Sequence, residues 1–298
     1  MDDFTGDAGQ RLAARFEADR PHLTAVAYRL LGSATEADDA LQEAWLRARQ
    51  ADTGEVGNLT GWLTTVVTRV CLNLLRARRN RREDALDSPA AAVTESGDPA
   101  REALLADEVG IALLVVLDAL SPAERVAFVL HDMFAVPFEE IAPLIDRNAA
   151  ATRQLASRAR RRVRGREPVP TAGAGRRREA VEAFLAATRG GDFTALFALL
   201  APDVVLRADA LVVPTPEPLT VQGAEPVARG AMAAMARARL TGVALLDGRI
   251  GLVMAESGHP RLVLAFTFGT DGLITGIDIT ADPQRLRAID IGPADTGR

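Results

Sequence analysis

The residues best suited to a chemical role lie between positions 147 and 166, where eight arginines occur without an Asp or Glu. Guanidinium groups pair with phosphate oxygens, and Arg, Gln and Ser side chains also hydrogen-bond to base edges. Such chemistry is typical of a DNA-binding surface. The candidates for DNA contact in this segment are Asn148, Thr152, Arg153, Gln154, Ser157, Arg158 and Arg161.

Two short helices must position these side chains, and a turn at residues 146–148 separates them. The first helix is predicted by apolar residues at i, i+3, i+4 and i+7, namely Phe138, Ile141, Ala142 and Ile145. Asn148 is suited to cap the second helix, whose apolar stripe is expected at Ala151, Leu155, Ala159 and Val163. The pair is typical of a helix-turn-helix, in which the second helix enters the major groove. A solvated helix at a domain end is the alternative, but such helices usually carry acids for i, i+4 pairing.

A second cationic run lies between Arg69 and Arg82, at the end of an amphipathic helix that begins near Thr60. Six arginines occur in this run, more than is needed to offset a helix dipole, for which each contributes about 0.3–1 kcal/mol. Neutralisation of several phosphates is the stronger explanation. The helix is therefore predicted to be a second nucleic-acid surface, with the candidates Asn73, Arg76, Arg78 and Arg79.

The net charge of −5 is distributed in blocks along the chain. Residues 83–125 carry ten acids and two arginines, so that an acidic segment separates the two cationic runs. The single cysteine, Cys71, excludes an internal disulfide, and its apolar helical surroundings predict a buried thiol. The three histidines show no metal-ligand spacing. No metal or cofactor is expected.

Membrane insertion is not predicted from this sequence. No apolar run approaches the roughly 18 residues of a membrane span. The start of the chain, MDDFTGDAGQ, is acidic, whereas a signal peptide begins with basic residues. We therefore expect a cytoplasmic protein.

Composition divides the chain into three domains and two linkers. Helical periodicity covers residues 1–83 and 105–166, and an acidic linker without periodicity covers residues 84–104. Ser121, Pro122 and Glu124 predict a capped helix start in the second domain. A Pro/Gly-rich linker at residues 167–175 precedes an α+β domain at residues 176–298. Its antiparallel strands are expected to turn at Asp247-Gly248, Ser257-Gly258 and Asp271-Gly272.

Three segments resemble, in order, the second and fourth conserved regions of the extracytoplasmic-function (group IV) sigma factors of bacterial RNA polymerase. They are FEADRPHLTAVAYRLLGSATEADDALQEAWLRAR, GWLTTVVTRVCLNLLRARR and LSPAERVAFVLHDMFAVPFEEIAPLIDRNAAATRQLASRARRRV, within roughly residues 11–165. The resemblance implies that the first domain recognises the −10 promoter element and the helix-turn-helix the −35 element. It also implies binding of core polymerase through the β′ clamp helices and the β flap. The residues that match the clamp-helix contact are Asp38, Asp39, Gln42 and Glu43.

The C-terminal domain resembles the SnoaL-like members of the cone-shaped NTF2-like fold, on the segment RRREAVEAFLAATRGGDFTALFALLAPDVVLRAD. In sigma factors that carry it, this domain implies regulation in cis, so that no separate anti-sigma factor is required. Three signatures of that subgroup are altered here, at residues 86–89, 208–211 and 281–286. By the same resemblance, the candidates for interdomain regulation are Asp209, Asp282, Pro283 and Leu286.

The favoured interpretation is a multidomain sigma factor with two all-α domains, a C-terminal α+β domain and no catalytic activity. The alternative is a helix-turn-helix regulator with a ligand-sensing or vestigial enzymatic SnoaL-like domain. Catalysis would need a general acid or base inside the cone, for which the candidates are Asp209, Asp278 and His259. A small-molecule ligand of the C-terminal domain stays open at this point.

Overall fold

The computed structural model describes residues 7–84, 101, 104–106, 109–165, 169, 173–212 and 217–294. The altered signature at residues 86–89, and with it most of the predicted acidic linker, lies outside the described residues. The chain divides into two compact units. Unit 1 comprises residues 1–105 and 117–161, and unit 2 comprises residues 106–116 and 162–298.

Three long helices form the first part of unit 1: α1 (Asp7–Leu31), α2 (Ala34–Ala48) and α3 (Leu59–Asp84). The N-cap of α2 is Ser33, whose hydroxyl accepts from the backbone N–H of Glu36. Their apolar faces meet in one core, in which Cys71 is fully buried. The core also contains Leu23, Val26, Leu30, Leu41, Leu63, Val67 and Val70.

Further helices form the rest of the helical part: α4 (Ile111–Asp118), α5 (Pro122–Phe128), α6 (Phe138–Ile141) and α7 (Ala149–Arg164). A π-helical turn, Val129–Met133, continues α5, and a 3-10 turn, Ala142–Leu144, continues α6. The predicted start at Ser121 is confirmed, because Ser121 and Glu124 form a reciprocal capping box. The division between the two units falls inside α4, after Val116.

The α+β fold expected for the C-terminal domain is confirmed. Helices α8 (Ala174–Gly190) and α9 (Phe193–Leu199) precede β1 (Leu200–Ala208) and β2 (Leu219–Gln222). Helices α10 (Ala224–Ala233) and α11 (Met235–Ala238) lead to β3 (Thr241–Leu246), β4 (Arg249–Glu256), β5 (His259–Phe268) and β6 (Ile274–Thr280). Helix α12 (Pro283–Ala288) and β7 (Ile291–Pro293) end the domain.

The strands form one seven-stranded sheet in the order β2-β1-β6-β5-β4-β3-β7. Only the β1/β6 pair within this sheet is parallel. The tight turns predicted at Asp247-Gly248 and Ser257-Gly258 are confirmed, because all four residues have positive φ, between 50° and 79°. Helices α8 and α10 cover one face of the sheet, where Val181, Phe184 and Val227 are buried against it.

Candidate nucleic-acid interface

The exposed face of α7 carries five of the candidates that the sequence predicts. Arg153, Gln154, Ser157, Arg158 and Arg161 are exposed along it. At the start of the helix, the side-chain oxygen of Asn148 accepts from the backbone N–H of Ala151 at 2.8 Å. The Arg153 guanidinium lies 5.2 Å from the centre of the Phe138 ring, within the range of a cation–π contact. The helix therefore presents one polar, cationic face.

The buried stripe of α7 differs from the predicted one. Thr152, Ala156 and Ala159 are fully buried, whereas Ala151 and Leu155 are only partly covered. The Thr152 hydroxyl donates to the carbonyl oxygen of Asn148 at 2.9 Å. Residues 152, 156 and 159 also follow helical spacing, and their small side chains let the helix pack closely. Thr152 consequently lies away from the exposed face that carries the other candidates.

Helix α3 separates its predicted DNA contacts into two groups. Asn73, Arg76 and Arg79 are exposed. The Arg78 side chain is only 14% exposed and forms an ion pair with Glu36. Its guanidinium also donates to the carbonyl oxygen of Leu31 at 2.9 Å. Arg78 thus ties α3 to the end of α1 and the start of α2, a function that charge counting along the sequence did not indicate.

The two cationic surfaces lie side by side within unit 1. The Arg76 guanidinium is 3.2 Å from a carboxylate oxygen of Asp146, in the turn before α7. A cavity of about 500 Å³ is lined by Arg76, Arg79 and Asn80 on one side and by Asp146 and Arg147 on the other. Asp146 has φ 56°, a conformation that Asp and Asn tolerate better than most residues. The acid that pairs with Arg76 is thus built into the helix-turn-helix itself.

A buried arginine joins the same two parts of unit 1. Arg125, on α5, is 3% exposed and donates to the carbonyl oxygen of Leu30 at 2.8 Å. It also pairs with Asp118 at 3.0 Å. Arg125 is not among the site residues that the sequence predicts. The available signal was a lone arginine inside the apolar run that follows Ser121, because a buried arginine requires specific partners.

The four candidates for polymerase contact lie together on α2. Asp39 and Gln42 are exposed, and Asp38 and Glu43 are partly exposed. Asp38 accepts a hydrogen bond of 3.0 Å from Arg101, which lies within the predicted acidic linker. Glu43 pairs with Arg47 one turn further along the helix. Two carboxylates of this face, those of Asp38 and Glu43, are thus already matched with guanidinium groups from the same chain.

The four candidates for interdomain regulation are brought together in unit 2. One carboxylate oxygen of Asp209 accepts from the backbone N–H groups of Ala281 and Asp282, at 2.7 and 2.9 Å. Asp282 caps α12, which begins at Pro283 and buries Leu286. Two of the altered signatures, which lie far apart in the sequence, are therefore hydrogen-bonded to each other.

Unit 2 also contains two close approaches to segments that flank the helix-turn-helix. A Cβ added at Gly242, in β3, would lie 2.9 Å from the Cβ of Ile111, the first residue of α4. A Cβ added at Gly165, just after α7, would lie 3.5 Å from the Cα of Gly292 in β7. These glycines let Ile111 and the backbone at Gly165 lie close to the sheet.

A cavity of about 300 Å³ lies between the inner face of the sheet and helices α8, α10 and α11. Of the described residues that line it, none is an Asp, Glu, His, Cys or Tyr. Asp278 is half-exposed, and its carboxylate lies 3.8 Å from the guanidinium of Arg207. Nδ1 of His259 lies 2.8 Å from the carbonyl oxygen of Ser257. The three candidate acids and bases, Asp209, Asp278 and His259, are all absent from the cavity lining.

None of the helices in the described ranges combines the length and the apolar character that a membrane span needs.

Two family models match the chain: Sigma-70 region 2 over residues 15–81 and Sigma-70, region 4 over residues 111–163. The first match takes in α2 and the predicted DNA contacts of α3. The second begins at Ile111 and includes α6, the turn and all but the last residue of α7.

Two curated relatives come from Mycobacterium tuberculosis. The chain is 38% identical over 294 residues to the ECF RNA polymerase sigma factor SigJ, with 92% of each chain covered. It is 37% identical over 203 residues to the probable ECF RNA polymerase sigma factor SigI, with 67% of this chain and 70% of the relative covered. A crystal structure of SigJ matches with a TM-score of 0.44 and 32% identity, over 92% of this chain and 98% of that chain.

Proposed function

Since the chain belongs to the extracytoplasmic-function sigma factors of RNA polymerase, we propose that it directs the core enzyme to promoters with two separate DNA-reading helices. The observation that carries this proposal is the polar, cationic face of α7, presented by a capped helix that follows a tight turn. Region 4 would read the −35 element with this face, and region 2 would contact the −10 element through α3.

Within α7, the candidates for base or adjacent phosphate contacts are Arg153, Gln154, Ser157 and Arg158, since the N-terminal half of a recognition helix reaches base edges. Arg161 is assigned to a phosphate, which positions the protein without specifying a sequence. We assign Thr152 to helix packing instead, because it is fully buried.

Within α3, we assign Asn73, Arg76 and Arg79 to contacts with the −10 element. All three are exposed on one helix, and the charges of the two arginines give an attraction that weakens steeply as salt is added. Arg78 supports this surface from behind by holding the helix to Glu36. The face of α2 that carries Asp38, Asp39, Gln42 and Glu43 is the proposed contact with polymerase.

Unit 1 corresponds in this proposal to a closed arrangement. Arg76 lies against Asp146, and Arg125 is buried against Leu30, so the two reading helices belong to one compact unit. Two promoter elements that lie far apart can be bound together only after the readers separate, and the linker must then span the distance. Loss of these contacts is therefore part of activation.

Regulation in cis by the C-terminal domain is supported by the two glycine contacts in unit 2. Ile111 is the first residue of region 4 and packs over Gly242, and Gly165, just after α7, lies beside Gly292. The sheet of the C-terminal domain thus lies close to the first residue of region 4 and to the residue that follows α7. We propose that the domain restrains region 4 through these contacts, and that core polymerase and promoter DNA compete with them.

Copurification with core polymerase tests the proposal against its alternative. A sigma factor should copurify with the core enzyme and confer promoter-specific transcription on it. A helix-turn-helix regulator would instead bind an operator without polymerase. Deletion of residues 176–298 then tests the regulation, because unchanged polymerase binding and transcription would show that the C-terminal domain does not restrain the sigma regions.

Catalysis is not part of the proposed function. General acid or base chemistry needs a titratable group within hydrogen-bonding distance of the substrate. The described lining of the cavity contains no carboxylate, imidazole, thiol or phenol. Asp209 is instead engaged by three backbone N–H groups, from Leu211, Ala281 and Asp282.

A further inference from the structure

The cavity of the C-terminal domain is built mainly from apolar side chains in register on four neighbouring strands. Leu252 of β4 pairs with Leu264 of β5, which pairs with Ile279 of β6, which in turn pairs with Ala208 of β1. These residues all line the cavity, together with the pair Met254 and Leu262. The floor is therefore a continuous aliphatic surface.

The opposite wall comes from helices and is also largely apolar. Phe184 and Leu185 of α8 and Val227 and Ala231 of α10 line the cavity from this side. Pockets with this composition favour apolar ligands and use a few polar groups to orient them. The volume of about 300 Å³ suits a ligand with on the order of ten non-hydrogen atoms, at roughly 30 Å³ for each as for a water molecule.

Two threonines are the buried polar residues among the described residues of the lining. Thr188 and Thr241 are 5% and 6% exposed. Their hydroxyl groups already donate to the carbonyl oxygens of Phe184 and Arg237, at 2.8 and 2.9 Å. A hydroxyl has one hydrogen and two lone pairs, so each threonine oxygen can still accept but cannot donate again. A ligand group that matches these oxygens must be a donor.

The charge of the lining points the same way. Arg237 is the one charged residue among the described lining residues, and its side chain is exposed to solvent. A carboxylate inside the cavity would lose its hydration without gaining buried donors, which is costly. A neutral hydroxyl group would meet an acceptor at no such cost.

We propose that the C-terminal domain binds a neutral, largely aliphatic molecule of about this size that carries a hydroxyl group. The hydroxyl donates to the oxygen of Thr241 or Thr188, and the hydrocarbon part lies on the row of Leu252, Leu264 and Ile279. The inference extends the proposed regulation by naming a ligand class. Only its regulatory meaning, and not the binding itself, rests on that regulation.

Calorimetric titration of the full-length chain with decanol, and in parallel with decanoate, tests the proposal. Decanol should bind saturably at one site, and decanoate should bind at least about tenfold more weakly because it carries acceptors only. Neither polymerase nor DNA is present, so a failed polymerase pull-down would leave this result intact. Absence of saturable decanol binding, or tighter binding of decanoate, would overturn the proposal.

Two matched pairs of variants locate the site. Ala231→Phe places a ring in the cavity and should weaken decanol binding at least about tenfold, whereas Ala236→Phe, on the exposed side of α11, should leave it unchanged. Thr241→Val removes the acceptor and should weaken decanol about tenfold but not decanoate, and Thr241→Ser should restore it. Decanol binding that none of these changes affects would place the ligand elsewhere and refute the assignment. The threonine pair decides the matter where Ala231→Phe does not fold.

Discussion

Substitution of Gly242 by alanine is the most direct test of restraint by the C-terminal domain. The new Cβ would lie 2.9 Å from the Cβ of Ile111, whereas carbon atoms in contact are about 3.5–4.0 Å apart. Either α4 or β3 must therefore move by about 0.6–1.1 Å to restore normal separation. Overpacking of this kind costs about 1–3 kcal/mol.

That cost falls on the restrained state and disappears once Ile111 leaves the sheet. The balance between restrained and active chain should therefore shift by up to about 1–3 kcal/mol, or roughly 5- to 150-fold. Gly242→Ala is expected to bind core polymerase more tightly than the wild type and to yield more promoter-specific transcript. Fluorescence titration of labelled full-length chain with core enzyme measures the affinity directly.

Gly190→Ala is the matched control, because a Cβ at Gly190 would meet nothing within 4 Å. It should leave both polymerase affinity and transcription unchanged. Restraint through Ile111 is refuted if Gly242→Ala lowers the melting temperature but leaves polymerase affinity at the wild-type value. The contact of Ile111 would then contribute to stability only.

Three further predictions concern the helical part of the chain. Asp146→Asn keeps the left-handed backbone but removes the charge opposite Arg76. Promoter affinity in gel-shift titrations should therefore rise by up to about fivefold, the upper range for an exposed ion pair. An unchanged affinity would contradict the closed arrangement. Arg153→Ala and Arg158→Ala should each cost about 1–3 kcal/mol on the promoter and little on random duplex; an equal loss on both would reassign them to phosphates. Burial raises the pKa of the Cys71 thiol, so mass spectrometry should find alkylation by iodoacetamide only after denaturation, and rapid labelling of the folded chain would show that the site opens.

Local patterns predicted the elements well where a single backbone rule governs them. The capping box at Ser121 and Glu124 follows from side-chain spacing alone. The tight turns at Asp247-Gly248 and Ser257-Gly258 follow from residues that accept positive φ. Such features depend on neighbours in sequence, and so they can be predicted before any tertiary contact is known.

Features that depend on tertiary packing were not predicted in the same way. The stripes that start at Ala151 and at Thr152 both have helical spacing, and only packing against the neighbouring helices selects the second. In the sequence, Arg78 is indistinguishable from its exposed neighbours. Only the folded chain places Glu36 and Leu31 beside it. The link from Asp209 to Ala281 spans a large part of the domain. Partners so distant in sequence leave no periodic signal.

Strand β3 joins the proposed ligand site to the proposed restraint. Thr241 lines the cavity, and the next residue, Gly242, carries Ile111 against the opposite face of the sheet, as the alternation of a strand requires. A ligand that shifts Thr241 must therefore also shift the backbone of Gly242, on which Ile111 packs. Decanol should change the polymerase affinity of the wild-type chain. That change should be largely lost in Gly242→Ala, because the contact between Ile111 and residue 242 is already disrupted there. An equal change of polymerase affinity in both proteins would show that β3 does not couple the cavity to the contact of Ile111.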